Sequence, residues 1–255
     1  MKNILALGLG LLALSSHSYA HETDEGPVAL EISSSTPMKA GKSSLTFQMI
    51  ETKTKHLISD SDLNVAHEKK LHFIIYDPSL SQFQHVHPTY TSSNDSTWEV
   101  EVNFQVNGNY WAWAQGELSS DGSEFSAPTR LTVTGGAPEL AEPNLSDIRS
   151  GEDRNSVITL SKTPLKAGKM SMIELTFSRK DGSVPQLSPY LGAIAHIVAT
   201  PTDGDSLIHV HPVPGSTPTT AMLHVTFPDA GFYRLWIQFN DGGEIHVVPL
   251  SVEVK

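Results

Sequence analysis

Two stretches of the chain carry three histidines at the same spacing. In each stretch, twelve residues separate the first histidine from a His-x-His-Pro sequence. The two sets are His72, His85 and His87, and His196, His209 and His211. Imidazole is the commonest metal ligand among side chains, and three converging imidazoles make a site for zinc or copper. The sequence therefore predicts metal chemistry, provided that each set folds onto one point.

A β-hairpin would bring the second set together. His196 lies in one apolar run, His209 and His211 lie in the next, and Asp203-Gly204 stands between the runs. Asp-Gly flanked by strands indicates a two-residue type I′ turn. With that turn His196 lies opposite His211, and His209 shares their face because side chains alternate along a strand. Directly opposed Cβ atoms lie about 4.5–5.5 Å apart, so the three imidazoles can reach one ion.

The first set has the same length, so the same register pairs His72 with His87. Its turn is less diagnostic, because Asp77-Pro78 favours a four-residue loop with the same centre. A register slip of one residue would place the histidines on opposite faces of the sheet. The alternative is that both sets only brace the sheet through hydrogen bonds, since a duplication carries a structural triplet forward as readily as a functional one.

The N-terminus has the form of a secretory signal peptide over residues 1–20. Lys2 is followed by the apolar residues 4–14 and by a small-x-small cleavage site at Ser18-Tyr19-Ala20. The apolar run is too short to span a membrane, so we expect a periplasmic protein without a membrane anchor. The chain has no cysteine, which excludes disulfides, a lipid anchor on cysteine and thiolate ligands.

The net charge of −11 argues against nucleic acid and anionic membrane surfaces as partners. It suits an exported protein that attracts cations. The expected partners are therefore a metal ion and another periplasmic metal-handling protein.

The chain contains an internal repeat. Residues 36–42 recur at 163–169, and a Gly-x-Tyr sequence followed by Trp113 and Gln115 recurs before Trp236 and Gln238. The predicted organisation is a polar leader at 21–27, a first domain at 28–135, a linker at 136–155 and a second domain at 156–255. We call the two domains the first and the second copy.

Each copy offers about seven short strands separated by turn signals, and helical periodicity is poor. This pattern predicts an all-β protein of two tandem immunoglobulin-like β-sandwich domains. Tyr233 in Asp-Ala-Gly-Phe-Tyr fits the tyrosine corner of such domains, and Tyr110 fits it more loosely. Trp111, Trp113 and Trp236 are expected to pack in the core or on a sheet face.

Other candidates are weaker. His21 would be the first residue after the predicted cleavage, where its amine and imidazole could together hold copper, but no partner histidine can be identified. Met170 and Met172 share a strand face, a pattern more typical of packing than of ligation. His246 lies on the last hairpin of the second copy and His224 on the strand before Tyr233, and neither has a counterpart in the first copy. His56 and His67 lie in the segment 52–68, which is more typical of a surface loop than of a segment that covers a site.

No enzyme motif is recognisable, and we identify no catalytic residue. The chain has no Gly-x-Ser-x-Gly elbow, no glycine-rich phosphate loop after a strand and no His-Glu-x-x-His helix. A zinc-dependent hydrolase is a lesser alternative, because three histidines with an open fourth position are typical of hydrolytic zinc. That alternative needs a general base, which the sequence does not identify.

The second copy resembles a group of small exported bacterial β-sandwich domains that often accompany copper and heavy-metal resistance proteins. The matching stretches are Tyr190 to His196, the His209-x-His211-Pro212 sequence, and Phe227 to Phe239. The resemblance spans about residues 160–255. It implies His196, His209 and His211 as metal ligands, with Gln238 as a possible neighbour. The first copy departs from the pattern, with Glu68-Lys69-Lys70-Leu71 before its first histidine.

These observations predict a periplasmic protein that binds copper, or alternatively zinc, through its histidine triplets. It would act in metal transport, buffering or resistance. The alternative from another class is a tandem immunoglobulin-like interaction module that holds no metal.

Overall fold

The computed structural model describes residues 26–34, 37–91 and 95–255. The predicted signal peptide and His21 lie outside these residues. Within them the chain forms β-strands and one short 3-10 helix, Asp60–Asp62. No helix in the described part of the chain has the length and apolarity to cross a membrane.

The strands fall into two series that match the two copies. In the first copy they are β1 (Val28–Ile32), β2 (Met38–Lys39), β3 (Gly41–Glu51), β4 (Leu71–Tyr76), β5 (Phe83–Val86), β6 (Thr89–Thr91), β7 (Thr97–Phe104), β8 (Gly108–Glu117) and β9 (Glu124–Thr134). In the second they are β10 (Ser150–Asp153), β11 (Ser156–Leu160), β12 (Met170–Arg179), β13 (Leu187–Ser188), β14 (His196–Pro201), β15 (Ile208–Val210), β16 (Val213–Pro214), β17 (Thr220–Thr226), β18 (Gly231–Asp241) and β19 (Glu244–Val254).

Each copy is a sandwich of two sheets. The first copy has a sheet β1-β3-β7-β6 and a sheet β2-β9-β8-β4-β5. The second has a sheet β10-β11-β12-β17-β16 and a sheet in which β18 pairs with β13, β14 and β19, with β15 beyond β14. Each copy has its own buried apolar cluster. The predicted all-β sandwich fold is confirmed, with more strands than seven because the loops add several strands of two to four residues.

One of the added strands, β10, lies inside the segment predicted as a linker. It pairs with β11 at the edge of a second-copy sheet. Nearby, Ile148 exchanges backbone hydrogen bonds with Ser251 in β19. The end of the connecting segment is therefore built into the second copy.

Both predicted tyrosine corners are present. The Tyr233 hydroxyl donates to the Asp229 carbonyl at 3.2 Å, and the Tyr110 hydroxyl donates to the Val106 carbonyl at 3.0 Å. Each bond spans four residues, so the two copies fasten the start of the equivalent strands, β8 and β18, in the same way.

Strand β4 is buried at all six positions. Phe73 and Ile75 point into the core of the first copy. Ile74 and Tyr76 alternate with them and join Val198 and Trp236 of the second copy in a separate apolar cluster. The histidine-bearing sheets of the two copies therefore pack against each other. Trp113 belongs to the same cluster as Trp236, so the expected packing of these two tryptophans on a sheet face is confirmed.

The predicted two-residue turn at Asp203-Gly204 is wrong, although the predicted register is correct. β14 ends at Pro201 and β15 begins at Ile208, so the loop is longer than two residues. The loop is held by the first copy, because the Tyr76 hydroxyl donates to the Gly204 carbonyl at 2.7 Å. A Cβ atom at Gly204 would lie 2.9 Å from the Trp111 ring.

Candidate metal centre

The hairpin registers bring each set of histidines together. In the second copy Val198 pairs with His209, and in the first Ile74 pairs with His85. In each triplet every histidine offers a ring nitrogen, and the three nitrogens lie within 4.8 Å of one another. The predicted convergence of both triplets is confirmed, and each group could hold a metal ion.

A backbone carbonyl fixes the proton on the first histidine of each triplet. His72 Nε2 lies 3.3 Å from the Ala66 carbonyl oxygen, and His196 Nε2 lies 2.9 Å from the Tyr190 carbonyl oxygen. A carbonyl oxygen only accepts, so Nε2 carries the proton in each neutral ring. Nδ1 of both residues therefore presents a lone pair to its triplet.

A glutamine from the other copy fixes the proton on the second histidine. His85 Nδ1 donates to Gln238 Oε1 at 2.7 Å, and His209 Nδ1 donates to Gln115 Oε1 at 2.9 Å. The Gln115 amide is oriented by its Nε2 group, which donates to Ser126 Oγ at 3.0 Å. These bonds leave Nε2 of both histidines as the inward nitrogen with a lone pair. A hydrogen bond to the outer nitrogen is typical of metal-ligating histidines.

The inward nitrogens face each other or nothing else in the described part of the protein. Among the described residues, four of them are buried without a hydrogen-bond partner: His87 Nε2, His196 Nδ1, His209 Nε2 and His211 Nε2. In the first triplet, His72 Nδ1 and His85 Nε2 face each other at 2.9 Å. Both carry lone pairs, and this distance suits two nitrogens bound to one ion at about 2.0–2.1 Å.

Burial keeps the six rings neutral. Burial, with a smaller contribution from neighbouring histidines, lowers the pKa of His87 and His196 to about 4 and that of His211 to about 3. The pKa of His72 is lowered for the same reason, and those of His85 and His209 lie well below the usual value. Neutral imidazole is the form that binds metal.

Equivalent tight turns supply the two carbonyls. Ala66 and Lys69 exchange backbone hydrogen bonds, as do Tyr190 and Ala193. The central residues have positive φ, at 51° and 65° in the first copy and 51° and 74° in the second, as a type I′ turn requires. The first copy therefore keeps this turn although it lacks the glycine of the second copy. The turn overlaps the segment in which the first copy departs from the sequence pattern of the second.

His67 is the residue that the sequence analysis missed. It occupies the position in the first turn that Leu191 occupies in the second. Its ring centroid lies 3.7 Å from that of His211 and 6.2 Å from that of His196. The loop assignment for its backbone is correct, but the ring adds a seventh histidine to the cluster. Aligning the residues before His72 and His196 would have revealed the equivalence.

The other candidates lie apart from the triplets. Met170 and Met172 are 74% and 61% exposed, on the outer face of a second-copy sheet. His224 lies opposite Met172. His246 Nδ1 contacts Asp153 at 3.2 Å. His56 Nε2 lies 3.1 Å from a carboxylate oxygen of Asp62. His21 lies outside the described residues.

One family profile, that of a domain of unknown function named DUF8832, matches the chain twice, over residues 21–135 and 152–255. The chain belongs to the DUF8832 family. Each of the two DUF8832 matches contains one complete histidine triplet, and the family description gives no activity. No functionally curated protein matches the chain.

Solved structures similar to this DUF8832 protein share little sequence with it. A titin fragment is 14% identical, with 89% of this chain and 96% of that chain covered and a TM-score of 0.22. A DUF4785 family protein from Legionella pneumophila is 11% identical, with 88% and 55% covered and a TM-score of 0.27. The D00-D0 domain of intimin is 14% identical, with 88% and 98% covered and a TM-score of 0.24. At such TM-scores these structures give no information on function.

Proposed function

We propose that this DUF8832 protein binds copper at its two histidine triplets and serves as a carrier, buffer or resistance factor for the metal in the periplasm. The observation that carries the proposal is the set of six inward nitrogens. Hydrogen bonds at the outer nitrogens of His72, His85, His196 and His209 leave their inward nitrogens with lone pairs. Four of the six inward nitrogens are buried without a hydrogen-bond partner among the described residues. Histidines that only braced a sheet would each pair with a separate partner, as His246 does with Asp153.

The donor set favours copper over zinc. Each triplet offers three imidazoles, and the chain has no cysteine to supply thiolate. Zinc accepts the same ligands. At equal availability, however, copper(II) binds nitrogen sites more tightly than zinc by the Irving–Williams order. Zinc is therefore the alternative ion.

The predicted signal peptide supports a periplasmic location. The net charge of −11 supports a cationic cargo. The resemblance of the second copy to domains that accompany copper resistance proteins supports a partner that also handles metal in the periplasm. The role is binding and delivery rather than catalysis, in keeping with the lack of a recognisable catalytic motif.

The test is a metal count on the full exported chain, purified without an affinity tag and dialysed against limiting copper and zinc. Mass spectrometry should find two equivalents of copper in the wild-type protein. His72→Ala/His87→Ala and His196→Ala/His211→Ala should each lose one equivalent.

The matched control is His56→Ala/His224→Ala, which removes two exposed histidines outside the triplets and should retain both equivalents. Metal retained in full by both triplet variants would place the sites elsewhere. Absence of metal from the wild-type protein would favour the interaction module instead.

A further inference from the structure

The two triplets lie against each other across the contact between the copies. The His85 and His209 ring centroids are 5.1 Å apart, and those of His72 and His209 are 5.5 Å apart. Within the triplets the corresponding separations include 5.2 Å for His72 and His85 and 5.7 Å for His196 and His209. Histidines from different triplets are therefore as close as histidines of the same triplet.

Each triplet depends on the other copy for the orientation of one histidine. His85 depends on Gln238 of the second copy, and His209 depends on Gln115 of the first. The glutamines belong to β8 and β18, and they lie beside His72 and His196 in the sheets. Each strand pair thus supplies a ligand to its own triplet and an orienting group to the other.

Residues of both triplets also line one opening. A cavity of about 140 Å³ is bordered by His72 of the first triplet, by His209 and His211 of the second, and by His67 at its edge. Such a space admits water and small anions to both sets of ligands. A metal held by three protein ligands keeps its fourth position for such a molecule.

We propose that the two triplets form a single dinuclear copper centre, in which the two bound ions lie close enough to interact magnetically. The proposal rests on the proposed copper binding. The ring separations, together with metal–nitrogen bonds of about 2.0–2.1 Å, place the two ions roughly 4–7 Å apart. Two unpaired electrons at that separation couple, whereas those of isolated sites do not.

Electron paramagnetic resonance of the full chain loaded with two equivalents of copper(II) tests this proposal. We expect a half-field transition and a loss of normal-field signal relative to the copper counted by mass spectrometry. Loading with one equivalent each of copper and zinc should increase the ordinary copper signal per bound copper without any mutation, because diamagnetic zinc replaces the neighbouring copper in many molecules. His196→Ala/His211→Ala with one copper should give the same ordinary signal.

Two bound coppers with full normal-field intensity and no half-field transition would overturn the dinuclear centre and leave the proposed metal binding intact. Failure to bind copper at all would overturn both. The zinc-diluted sample keeps this distinction measurable even if the double variant does not fold.

Discussion

Four of the triplet histidines have a hydrogen-bond partner at the outer nitrogen, and that partner decides which nitrogen faces the centre. His72 and His196 hold backbone carbonyls through Nε2 and present Nδ1, whereas His85 and His209 hold glutamines through Nδ1 and present Nε2. The same assignment recurs in both copies. The outer bonds therefore fix the lone pairs of these four histidines before any metal arrives.

Replacing Gln238 by alanine should weaken metal binding at the first triplet although the residue lies in the second copy. The substitution removes the acceptor of His85 Nδ1, and loss of such a partner costs about 10–100-fold in metal affinity. Competition against a chromophoric chelator measures the effect. Gln238→Glu keeps an acceptor oxygen and should retain the affinity. An unchanged affinity in the alanine variant would show that the bond does not orient the ligand.

At the scale of elements, the loop between β14 and β15 packs closely against the Trp111 ring at the contact between the copies. Gly204 has a φ of 72°, and a Cβ atom there would meet Trp111 at 2.9 Å. Gly182 has a φ of 77° but has nothing within 4 Å of such an atom. A substitution at Gly182 would therefore add backbone strain alone, whereas one at Gly204 would add both backbone strain and a steric clash.

Gly204→Ala should destabilise the protein more than Gly182→Ala does. Both substitutions carry the strain of alanine at positive φ, and only the first adds overpacking, which typically costs about 1–3 kcal/mol. Urea unfolding midpoints of the two variants give the comparison. Equal midpoints would mean that the loop moves away from Trp111 at no cost.

The strands and loops also explain which features of the fold and the site could be predicted from the sequence. The register of the second hairpin was predictable from a turn centred on Asp203-Gly204, and the equal spacing of the histidines extended it to the first hairpin. The length of the second loop was not predictable, because that loop is held by Tyr76 of the other copy. His67 was missed because its type I′ turn lacks the glycine that usually signals one.

The sequence also could not predict that the two triplets lie next to each other in one cluster. The nearly continuous apolar runs of β4 and β14 are typical of strands buried on both faces, so a covering partner could have been inferred. The identity of the covering surface depends on how the copies are oriented, and no periodicity within either copy encodes that. Gln115 was noticed only as a repeated residue, and Gln238 was expected as a possible neighbour of the second triplet rather than as the partner of His85 in the first. Their bonds cross between copies, which no pattern within one copy encodes.

At the scale of the whole molecule, the metal-free protein should lose stability as the pH falls. The folded-state pKa values of the triplet histidines lie below the usual 6.5, at about 4 for His87 and His196 and about 3 for His211. Between these values and 6.5 the unfolded chain binds more protons than the folded one, so acid favours unfolding. The histidine contribution is fully present above pH 6.5 and is lost as the pH falls towards 4 and 3.

Urea unfolding of the metal-free chain at pH 7.5, 6.0 and 5.0 measures this loss. His87→Gln/His211→Gln removes two of the titrating groups and should show a shallower dependence on pH. Bound metal should raise the midpoint at pH 7.5, because a ligand that binds only the folded state stabilises it. An unchanged midpoint down to pH 5.0 would contradict the assignment of neutral, buried rings.

The paired glutamine bonds, from Gln238 to His85 and from Gln115 to His209, give the contact the reciprocal form of a symmetric homodimer, in which each partner offers the same patch. Here both halves belong to one polypeptide, joined between β9 and β10. Their association is intramolecular, and it is governed by the effective concentration that the connecting segment sets. Dilution therefore does not separate the halves, and the histidine cluster stays assembled even when few molecules are present.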